Sequence, residues 1–431
     1  IGFRGWQALS LTIFLQHSLR TNTGLCVRRR GVLCNAMLAN SRLVSVLFLT
    51  VILGAGGAFP QEKSSGTFRS FLSALWPDAR KLGVSRETFD AAVAGLTPDA
   101  EILPLTKRQP EYNKPIGEYL RGRVTGGLVA GGRKNAEKWA DTLAAIEKQY
   151  GVDRHVIVAI WGLETGYGSF TGGKDVIRSL ATLAHARYRD DFFRNEMLAA
   201  LQILEQEHIT REKMRGSWAG AMGQAQFIPT SFLKFAVDQS GDGRRDIWTN
   251  VPDVLGSIAN YLRKNGWERG LPWGFEVMVP QGFDYRVSRN SFREWNALGV
   301  KRADGGKLPA EGNAILFFPS GANGPGFLIT KNYEAIKTYN ISDAYSLAVA
   351  NTADRLRGRG AFAGTWPNDP PLPRERRIWL QKRMQALNIP VNNTVGQIDF
   401  DLRDRIRELQ VKFGMVPDGN PTEVLLQRLE K

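Results

Sequence analysis

The sequence is poor in the residues that support thiol or histidine-based metal chemistry. Of its 431 residues only two are cysteine, Cys26 and Cys34, and only four are histidine. Both cysteines precede residues 43–59, an apolar stretch that follows Arg42 and ends in small residues. That stretch is typical of a secretory signal, with an uncleaved membrane anchor as the alternative. If it is removed, the mature chain has no disulfide and no cysteine-based metal site.

The sequence also lacks the glycine-rich motifs of phosphate-binding and α/β-hydrolase proteins. Neither GxxxxGK[ST], nor GxGxxG, nor GxSxG occurs in it, so nucleotide chemistry has no support. What the sequence has instead is excess positive charge, formally +15. Such a charge favours an anionic partner, and nucleic acid, anionic lipid and an acidic cell-wall polymer all satisfy it. Together with the predicted export and the absence of cysteine after the apolar segment, this charge indicates a bacterial periplasmic protein.

The chain divides into parts by its hydrophobic patterns and its proline content. Helical periodicity dominates the first half, short β-like runs such as "FEVMV" (275–279) follow, and four prolines cluster in "GTWPNDPPLPRE" (364–375). In chain order we predict an upstream region with the signal or anchor segment (1–58), a main domain (62–363) with a β-rich part at about 274–331, a proline-rich linker (364–374) and a three-helix module (375–431).

Two consecutive helices are predicted in the first half of the main domain. "AEKWADTLAAIEKQYG" (136–151) carries apolar residues at helical spacing and ends at a glycine. Asp153 then caps a second helix that runs to about residue 165. Two further strands are predicted at "AILFF" (314–318) and "GFLIT" (326–330).

Glu164 is the strongest candidate for a chemical role. In a helix from about 154 to 165, the apolar Ile157, Ile160 and Trp161 share its face. A carboxyl group on an apolar face is desolvated, which disfavours its charged form and raises its pKa. A general acid needs such a pKa in order to keep its proton near neutral pH.

An alternative to the catalytic interpretation remains open from spacing alone. Glu164 could be a buried structural glutamate that is paired with an arginine such as Arg178 or Arg189. Gly166 and Gly168 follow Glu164 and would end the helix while leaving room for a ligand.

The segment "GSWAGAMGQAQFIPTSF" (216–232) is unusually rich in small residues. Three glycines and three alanines within ten residues suit the floor of a groove against which a bulky polymer lies, and Ser217, Gln224 and Gln226 would supply polar contacts. The alternative is a tight crossing of two helices through small residues.

Four motifs in order carry a resemblance to a known family. "GLETGYG", "GAMGQAQFIPTSF", "AVDQSGDGRRDIW" and "GSIANYLRKNGW" make the region of about 65–360 resemble the B-type lytic murein transglycosylases. The resemblance implies a mainly α (α+β) fold, with a lysozyme-like catalytic domain that contains a small β-rich insertion. The final 57 or so residues resemble the three-helix peptidoglycan-binding domain often appended to such enzymes, although their first turn keeps only Gly396 of that family's pattern. The affinity of this module for peptidoglycan is therefore left open.

The resemblance also implies a role for each matching position. Glu164 falls on the catalytic glutamate, and Arg189 is a weaker match to an arginine near the peptide-binding end of the groove. The positions that match residues lining the glycan groove are Ser217, Gln226, Tyr261, Tyr339, Asn340 and Tyr345.

The implied reaction is cleavage of the β-1,4 bond between N-acetylmuramic acid and N-acetylglucosamine without water, which leaves 1,6-anhydromuramoyl ends. A hydrolytic muramidase and a non-catalytic cell-wall binding or scaffold protein remain the alternatives. We expect peptidoglycan glycan strands as the partner, no nucleic acid, no required cofactor and a monomer in the periplasm. Inner-membrane attachment is expected only if the apolar segment is retained.

One further motif resembles the start of a calcium-binding loop. "DQSGDG" (238–243) places Asp238, Ser240 and Asp242 at the first, third and fifth positions, but Thr249 stands where a glutamate usually closes the loop. Asp253 could close it instead. A structural calcium or sodium ion is one expectation, and a plain Asp/Gly turn is the other.

Overall fold

The computed structural model describes residues 67–106 and 114–431, so the predicted signal or anchor segment at 43–59 lies outside the described residues. Over the described part of the chain, every helix is too short or too polar to cross a membrane. The described helices are α1 (Phe68–Ala74), α2 (Trp76–Lys81), α3 (Arg86–Val93), α4 (Ile102–Leu105), α5 (Ile116–Arg123), α6 (Gly126–Lys138), α7 (Ala140–Tyr150), α8 (Arg154–Thr165), α9 (Val176–His185), α10 (Phe192–Glu205), α11 (Pro229–Phe235), α12 (Val251–Lys264), α13 (Phe292–Ala297), α14 (Lys331–Tyr339), α15 (Asp343–Leu356), α16 (Arg374–Ala386), α17 (Phe400–Lys412) and α18 (Glu423–Glu430). The described strands are β1 (Lys174–Asp175), β2 (Arg215–Gly216), β3 (Gly274–Met278), β4 (Arg289–Ser291), β5 (Lys301–Arg302), β6 (Asn313–Phe317) and β7 (Gly326–Ile329).

Helix α8 is the central helix of the main domain, and its predicted bounds are confirmed. Its N-cap Asp153 accepts a hydrogen bond of 2.8 Å from the backbone N–H of His155, which satisfies one of the free donors at the helix start. Gly166 ends the helix in the left-handed conformation, at φ 57°. Residues 156–165 are all buried, so the helix after its first two residues lies within the protein interior.

Helix α15 packs along α8 and is tied to it near both ends. At one end, Arg357 after the last turn of α15 forms an ion pair with Asp153. At the other end, Tyr345 in the first turn of α15 contacts Glu164 in the last turn of α8. The two helices therefore run in opposite directions, and each fixes the position of the other.

The β-rich part is a five-stranded antiparallel sheet in the order β4-β6-β7-β3-β5. The three predicted strands are confirmed to within one residue as β3, β6 and β7. Apolar side chains of this sheet pack on Phe292 and Trp295 of α13 to form a separate small core. The predicted fold class, mainly α with a small β-rich part, is confirmed.

The single helix predicted over 136–151 is wrong at its start. Residues 136–138 complete α6, and α7 begins at Ala140 after a break at Trp139, where φ is −108° and ψ is 26°. The two helices have different main neighbours, since α6 packs chiefly on α8 and α7 packs chiefly on α12.

The last three helices share one apolar core that includes Leu380, Ile406 and Leu425. The proline-rich segment before them contains neither helix nor strand but lies against the main domain. Its Trp366 packs so closely on Gly117 that a Cβ there would lie 2.4 Å from the Cβ of Trp366. The described residues 68–106 and 114–431 belong to one compact unit, which includes this module.

Candidate active site

Glu164 lies at the buried C-terminal end of α8, where only 7% of its surface is exposed. The hydroxyl of Tyr345 donates a hydrogen bond of 2.5 Å to its Oε1. A donor at this distance stabilises the charged carboxylate and fixes its orientation. The sequence-predicted acid is therefore held in place by a second sequence-predicted residue.

Three buried tyrosines of the predicted set form a cluster beside the glutamate. The hydroxyl of Tyr339 donates to the carbonyl oxygen of Ala225 at 2.6 Å, and that of Tyr261 donates to the carbonyl oxygen of Thr338 at 2.6 Å. Burial and the nearby negative charge of Glu164 raise the pKa of both Tyr339 and Tyr345 well above the ordinary tyrosine value. These hydroxyls therefore keep their protons and act as fixed hydrogen-bond donors.

The small-residue segment is an irregular buried loop held by its own backbone. Met222 forms isolated β-bridges with Gly216 and with Phe227, and residues 216–229 are all buried. The helix-crossing alternative is wrong, because this stretch is not helical before Pro229. The glycines and alanines instead let the loop fold back on itself beneath the end of α8.

Two polar residues of the loop are occupied in maintaining its shape. The Ser217 hydroxyl accepts from the backbone N–H groups of Ala219 and Ala221, at 3.3 and 3.0 Å. Gln226 has a left-handed backbone, at φ 50°, and its side-chain amide donates to the carbonyl oxygens of Thr171 and Gly223, at 3.0 and 2.9 Å. Both side chains thus fix the loop wall next to the Glu164 turn.

Gln224 connects the loop to α8 in a way that the sequence patterns did not reveal. Its Oε1 accepts from the indole N–H of Trp161 at 2.9 Å, and its amide donates to the carbonyl oxygen of Trp248 at 3.0 Å. Thr165, next to the glutamate, donates to the Gln224 carbonyl oxygen and accepts from the N–H of Gly168. The only sequence signal for this network was the excess of polar residues in an otherwise small-residue segment.

The alternative in which Glu164 pairs with an arginine is wrong for Arg178. Arg178 binds the 97–98 segment through the carbonyl oxygens of Thr97 and Pro98, at 2.8 and 2.9 Å. Arg189 lies on the turn between α9 and α10, and its guanidinium lies over the ring of Tyr188 at 5.5 Å.

Asn340 is buried directly before α15. Its Oδ1 accepts from the backbone N–H of Ser342, the N-cap of that helix, at 3.1 Å. Asn340 therefore helps to shape the start of the helix that carries Tyr345.

The other buried carboxyl groups in the described part of the chain have structural partners. Glu196 accepts from the backbone and the hydroxyl of Thr230 at the start of α11, at 2.9 and 2.7 Å. Asp253 accepts from three backbone N–H groups of residues 239–246, and Asp354 pairs with Arg357 and Arg359. Glu164 differs from them in accepting its hydrogen bond from a tyrosine hydroxyl at the start of α15.

The predicted ion-binding loop brings three carboxylates together. One oxygen each from Asp238, Asp242 and Asp253 lies within 4.8 Å of the others. Ser240 donates to Asp238 at 3.3 Å and accepts from Asn250 at 2.9 Å. Hard oxygen donors at this spacing suit a calcium-sized cation.

A buried glutamate that is hydrogen-bonded by a tyrosine at the end of a central helix, in a mainly α domain, is the arrangement expected of a lysozyme-like glycan-cleaving enzyme. Residues 67–354 match the family described as "Transglycosylase SLT domain". The chain therefore belongs to this family, and it is a lytic transglycosylase that acts on peptidoglycan.

Individual relatives agree with this assignment. Membrane-bound lytic murein transglycosylase B of Escherichia coli K12 is 31% identical over 255 residues, which cover 57% of this chain and 69% of the relative. The structure of SltB3 from Pseudomonas aeruginosa in complex with NAG-anhNAM-pentapeptide is 43% identical, covers 85% of this chain and 100% of its own, and superposes with a TM-score of 0.76. The structure of E. coli lytic transglycosylase Slt35 in complex with calcium is 25% identical, covers 68% of this chain and 93% of its own, and has a TM-score of 0.56.

Proposed function

We propose that Glu164 serves first as the acid and then as the base in cleavage of the bond between N-acetylmuramic acid and N-acetylglucosamine. The observation that carries this role is the 2.5 Å hydrogen bond from Tyr345 to its buried carboxyl group. Most glycosidases use two carboxyl groups, whereas the other buried carboxyl groups in the described residues are bound to structural partners. A route in which the acetamido group of the substrate assists the reaction needs only one carboxyl group on the enzyme.

The first step transfers the proton of Glu164 to the glycosidic oxygen. The bond between this oxygen and C1 of the muramoyl sugar breaks, and the oxygen of the sugar's own 2-acetamido group bonds to C1. The N-acetylglucosamine hydroxyl leaves with the proton, and Glu164 remains as a carboxylate. Tyr345 stabilises that carboxylate through its hydrogen bond.

The second step returns a proton to Glu164. The carboxylate takes the proton of the muramoyl C6 hydroxyl while the C6 oxygen attacks C1 and displaces the acetamido oxygen. The product is a 1,6-anhydromuramoyl end, and no water is consumed. The anhydro sugar named in the SltB3 complex supports this product for the present chain.

The groove is proposed to lie along the loop of residues 216–228 and the start of α15. The side chains proposed to line it, directly or by fixing its wall, are Ser217, Gln226, Tyr261, Tyr339, Asn340 and Tyr345. Arg189, on its separate turn, is proposed to contact the anionic stem peptide. The three tyrosine rings are buried, so they act by fixing the wall of the groove and the position of Glu164.

The enzyme is proposed to act as a monomer in the periplasm, where peptidoglycan lies, with membrane attachment only if its N-terminal apolar segment is retained. No cofactor takes part in the proposed steps. A calcium ion is proposed to bind between Asp238, Asp242 and Asp253 in a structural role, which the calcium complex of Slt35 supports.

The products released from purified sacculi test this proposal. We expect mass spectrometry of the soluble muropeptides to find anhydromuramoyl ends and no uptake of ¹⁸O from labelled water. Reducing ends carrying ¹⁸O would identify a hydrolytic muramidase instead. Absence of any release would indicate a binding or scaffold protein.

A further inference from the structure

The first turn of α15 is held by a charge from the C-terminal module. Asp343, the first residue of this helix, receives hydrogen bonds from Lys337 at 2.6 Å and from Arg403 at 3.0 Å. Arg403 belongs to α17, and 5% of its surface is exposed. The same first turn of α15 carries Tyr345.

Arg403 is fixed from several directions. Its guanidinium lies over the ring of Phe317 at 4.7 Å, and its Nη1 donates to the carbonyl oxygen of Gly419 at 3.2 Å. A buried guanidinium that loses its carboxylate partner is strongly destabilised. The pairing of Arg403 with Asp343 is therefore a firm restraint on the start of α15.

The module contacts the main domain at further points beside this pair. Arg407 of α17 donates to the carbonyl oxygen of Leu316 at 2.9 Å. The N–H of Ala322 donates to Asp418 at 2.8 Å, so the turn that precedes the last helix of the module (417–422) contacts the main domain. The module is thus docked on the main domain through buried, directional contacts.

We propose that the C-terminal module supports the active site, with Arg403 as a positioning residue that acts through Asp343 and Tyr345 on Glu164. The proposal rests on the acid–base role assigned to Glu164. Asp343 precedes Tyr345 by two residues, so a shift of the first helical turn moves the tyrosine ring. Hydrogen-bond strength falls steeply with misalignment, and a small displacement would weaken the contact that orients the glutamate.

This role differs from that of an independent glycan-binding module. A module that only captures substrate would change the KM and leave the turnover of bound substrate intact. A module that positions Tyr345 would change kcat, because the Glu164 carboxyl group is misplaced in every bound complex.

The test uses the full-length protein and soluble uncrosslinked glycan strands. Arg403→Met removes the charge and keeps the length of the side chain. Arg405→Met is the matched control, since Arg405 lies on the same helix, is exposed and forms an ion pair of 2.8 Å with Glu408 of its own helix. We expect R403M to lower kcat about five- to thirtyfold with KM within about twofold, and R405M to change neither. Circular dichroism establishes that both variants are folded.

A double-mutant cycle with Tyr345→Phe identifies the path of the effect. Because R403M acts through the tyrosine hydroxyl, it should lower kcat by less than about twofold in the Y345F background. Arg403→Lys should recover part of the lost kcat. Should R403M fail to fold, Asp343→Asn is the second variant: it changes no residue of the module, keeps a side-chain oxygen that can accept from Arg403, and should lower kcat in the same way.

Three results would overturn the inference: wild-type kcat in folded R403M, a rise in KM alone, or an undiminished loss in the Y345F background. Failure of the proposed function is distinguishable from these results. If the proposed function is wrong, the Glu164→Gln variant will be active, and this result does not depend on the kinetics of the Arg403 variants.

Discussion

The hydroxyl of Tyr345 lies 2.5 Å from Oε1 of Glu164, although 181 positions separate the two residues in the chain. The contact joins the first turn of α15 to the last turn of α8, and the ion pair between Arg357 and Asp153 joins their opposite ends. The position of the acid is therefore determined by the packing of a helix pair and not by its own helix alone.

Replacing Tyr345 with phenylalanine should lower kcat by about ten- to hundredfold, because a hydrogen bond to a charged group contributes about 1.5–3 kcal/mol. The ring stays and the core stays filled, so the melting temperature should change little. Tyr285→Phe in the β-rich part is the control and should keep full activity. Rates of muropeptide release measure the activity of both variants. A wild-type kcat in Y345F would show that the tyrosine hydroxyl takes no part in the mechanism.

Gly168→Ala should destabilise the turn after the acid. The backbone there has φ +82°, and a Cβ would lie 2.3 Å from the Oε1 of Gln224, which is already bonded to Trp161. We expect a loss of about 1–3 kcal/mol in the free energy of unfolding and a lower kcat. Gly173→Ala is the control, since nothing lies within 4 Å of its added methyl group. Equal urea midpoints for the two variants would contradict the close contact between residue 168 and the Gln224 side chain.

Glu196 should make stability depend on pH. Burial raises the pKa of its carboxyl group to about 7, from an ordinary value of 4.5. The folded state therefore holds this proton more tightly than the unfolded state. The resulting stabilisation is complete below about pH 4.5 and is lost as the pH rises through about 7. Between these values the group lowers the free energy of unfolding by roughly 1.4 kcal/mol per pH unit.

Glu196→Gln cannot titrate and should flatten this dependence. Its amide can still accept from the N–H of Thr230 and donate to its hydroxyl, so the fold is retained. Urea unfolding at pH 5, 6 and 7 measures the slope, and the exposed Glu137→Gln serves as the control. A slope for E196Q equal to that of the wild type would assign the dependence to other groups.

Calcium should stabilise the protein through the cluster of Asp238, Asp242 and Asp253. A ligand that binds only the folded state raises the melting temperature, by about 2–5 °C at a concentration well above its dissociation constant. Asp242→Asn should abolish the rise, whereas Asp284→Asn, outside the cluster, should retain it. A thermal shift that is the same for D242N and the wild type would place the ion elsewhere.

Local patterns in the sequence predicted the helix that presents the acid. Asp153 is a cap, Gly166 is a stop, and the apolar residues between them require burial, so both the helix and the burial of Glu164 follow from short-range rules. The partner of the acid does not follow from such rules. Tyr345 could be predicted only through the family resemblance, because helical periodicity carries no information about contacts between distant helices.

The docking of the C-terminal module could not be predicted from the sequence for a related reason. The prolines around residue 370 predict an extended linker, and composition does not show that Trp366 lies against Gly117. Arg403 is one of several arginines in α17, and nothing in its spacing distinguishes it as the partner of Asp343. Long-range ion pairs depend on how whole elements pack.

The most direct test of the central claim is the product spectrum of Glu164→Gln beside that of the wild type on the same sacculi. The amide has the shape of the acid but can neither donate nor take up the required proton. We predict that folded E164Q, with an unchanged melting temperature, releases anhydromuropeptides at least about a hundredfold more slowly than the wild type. Release by E164Q at a rate near that of the wild type would contradict the assignment of acid–base catalysis to this residue.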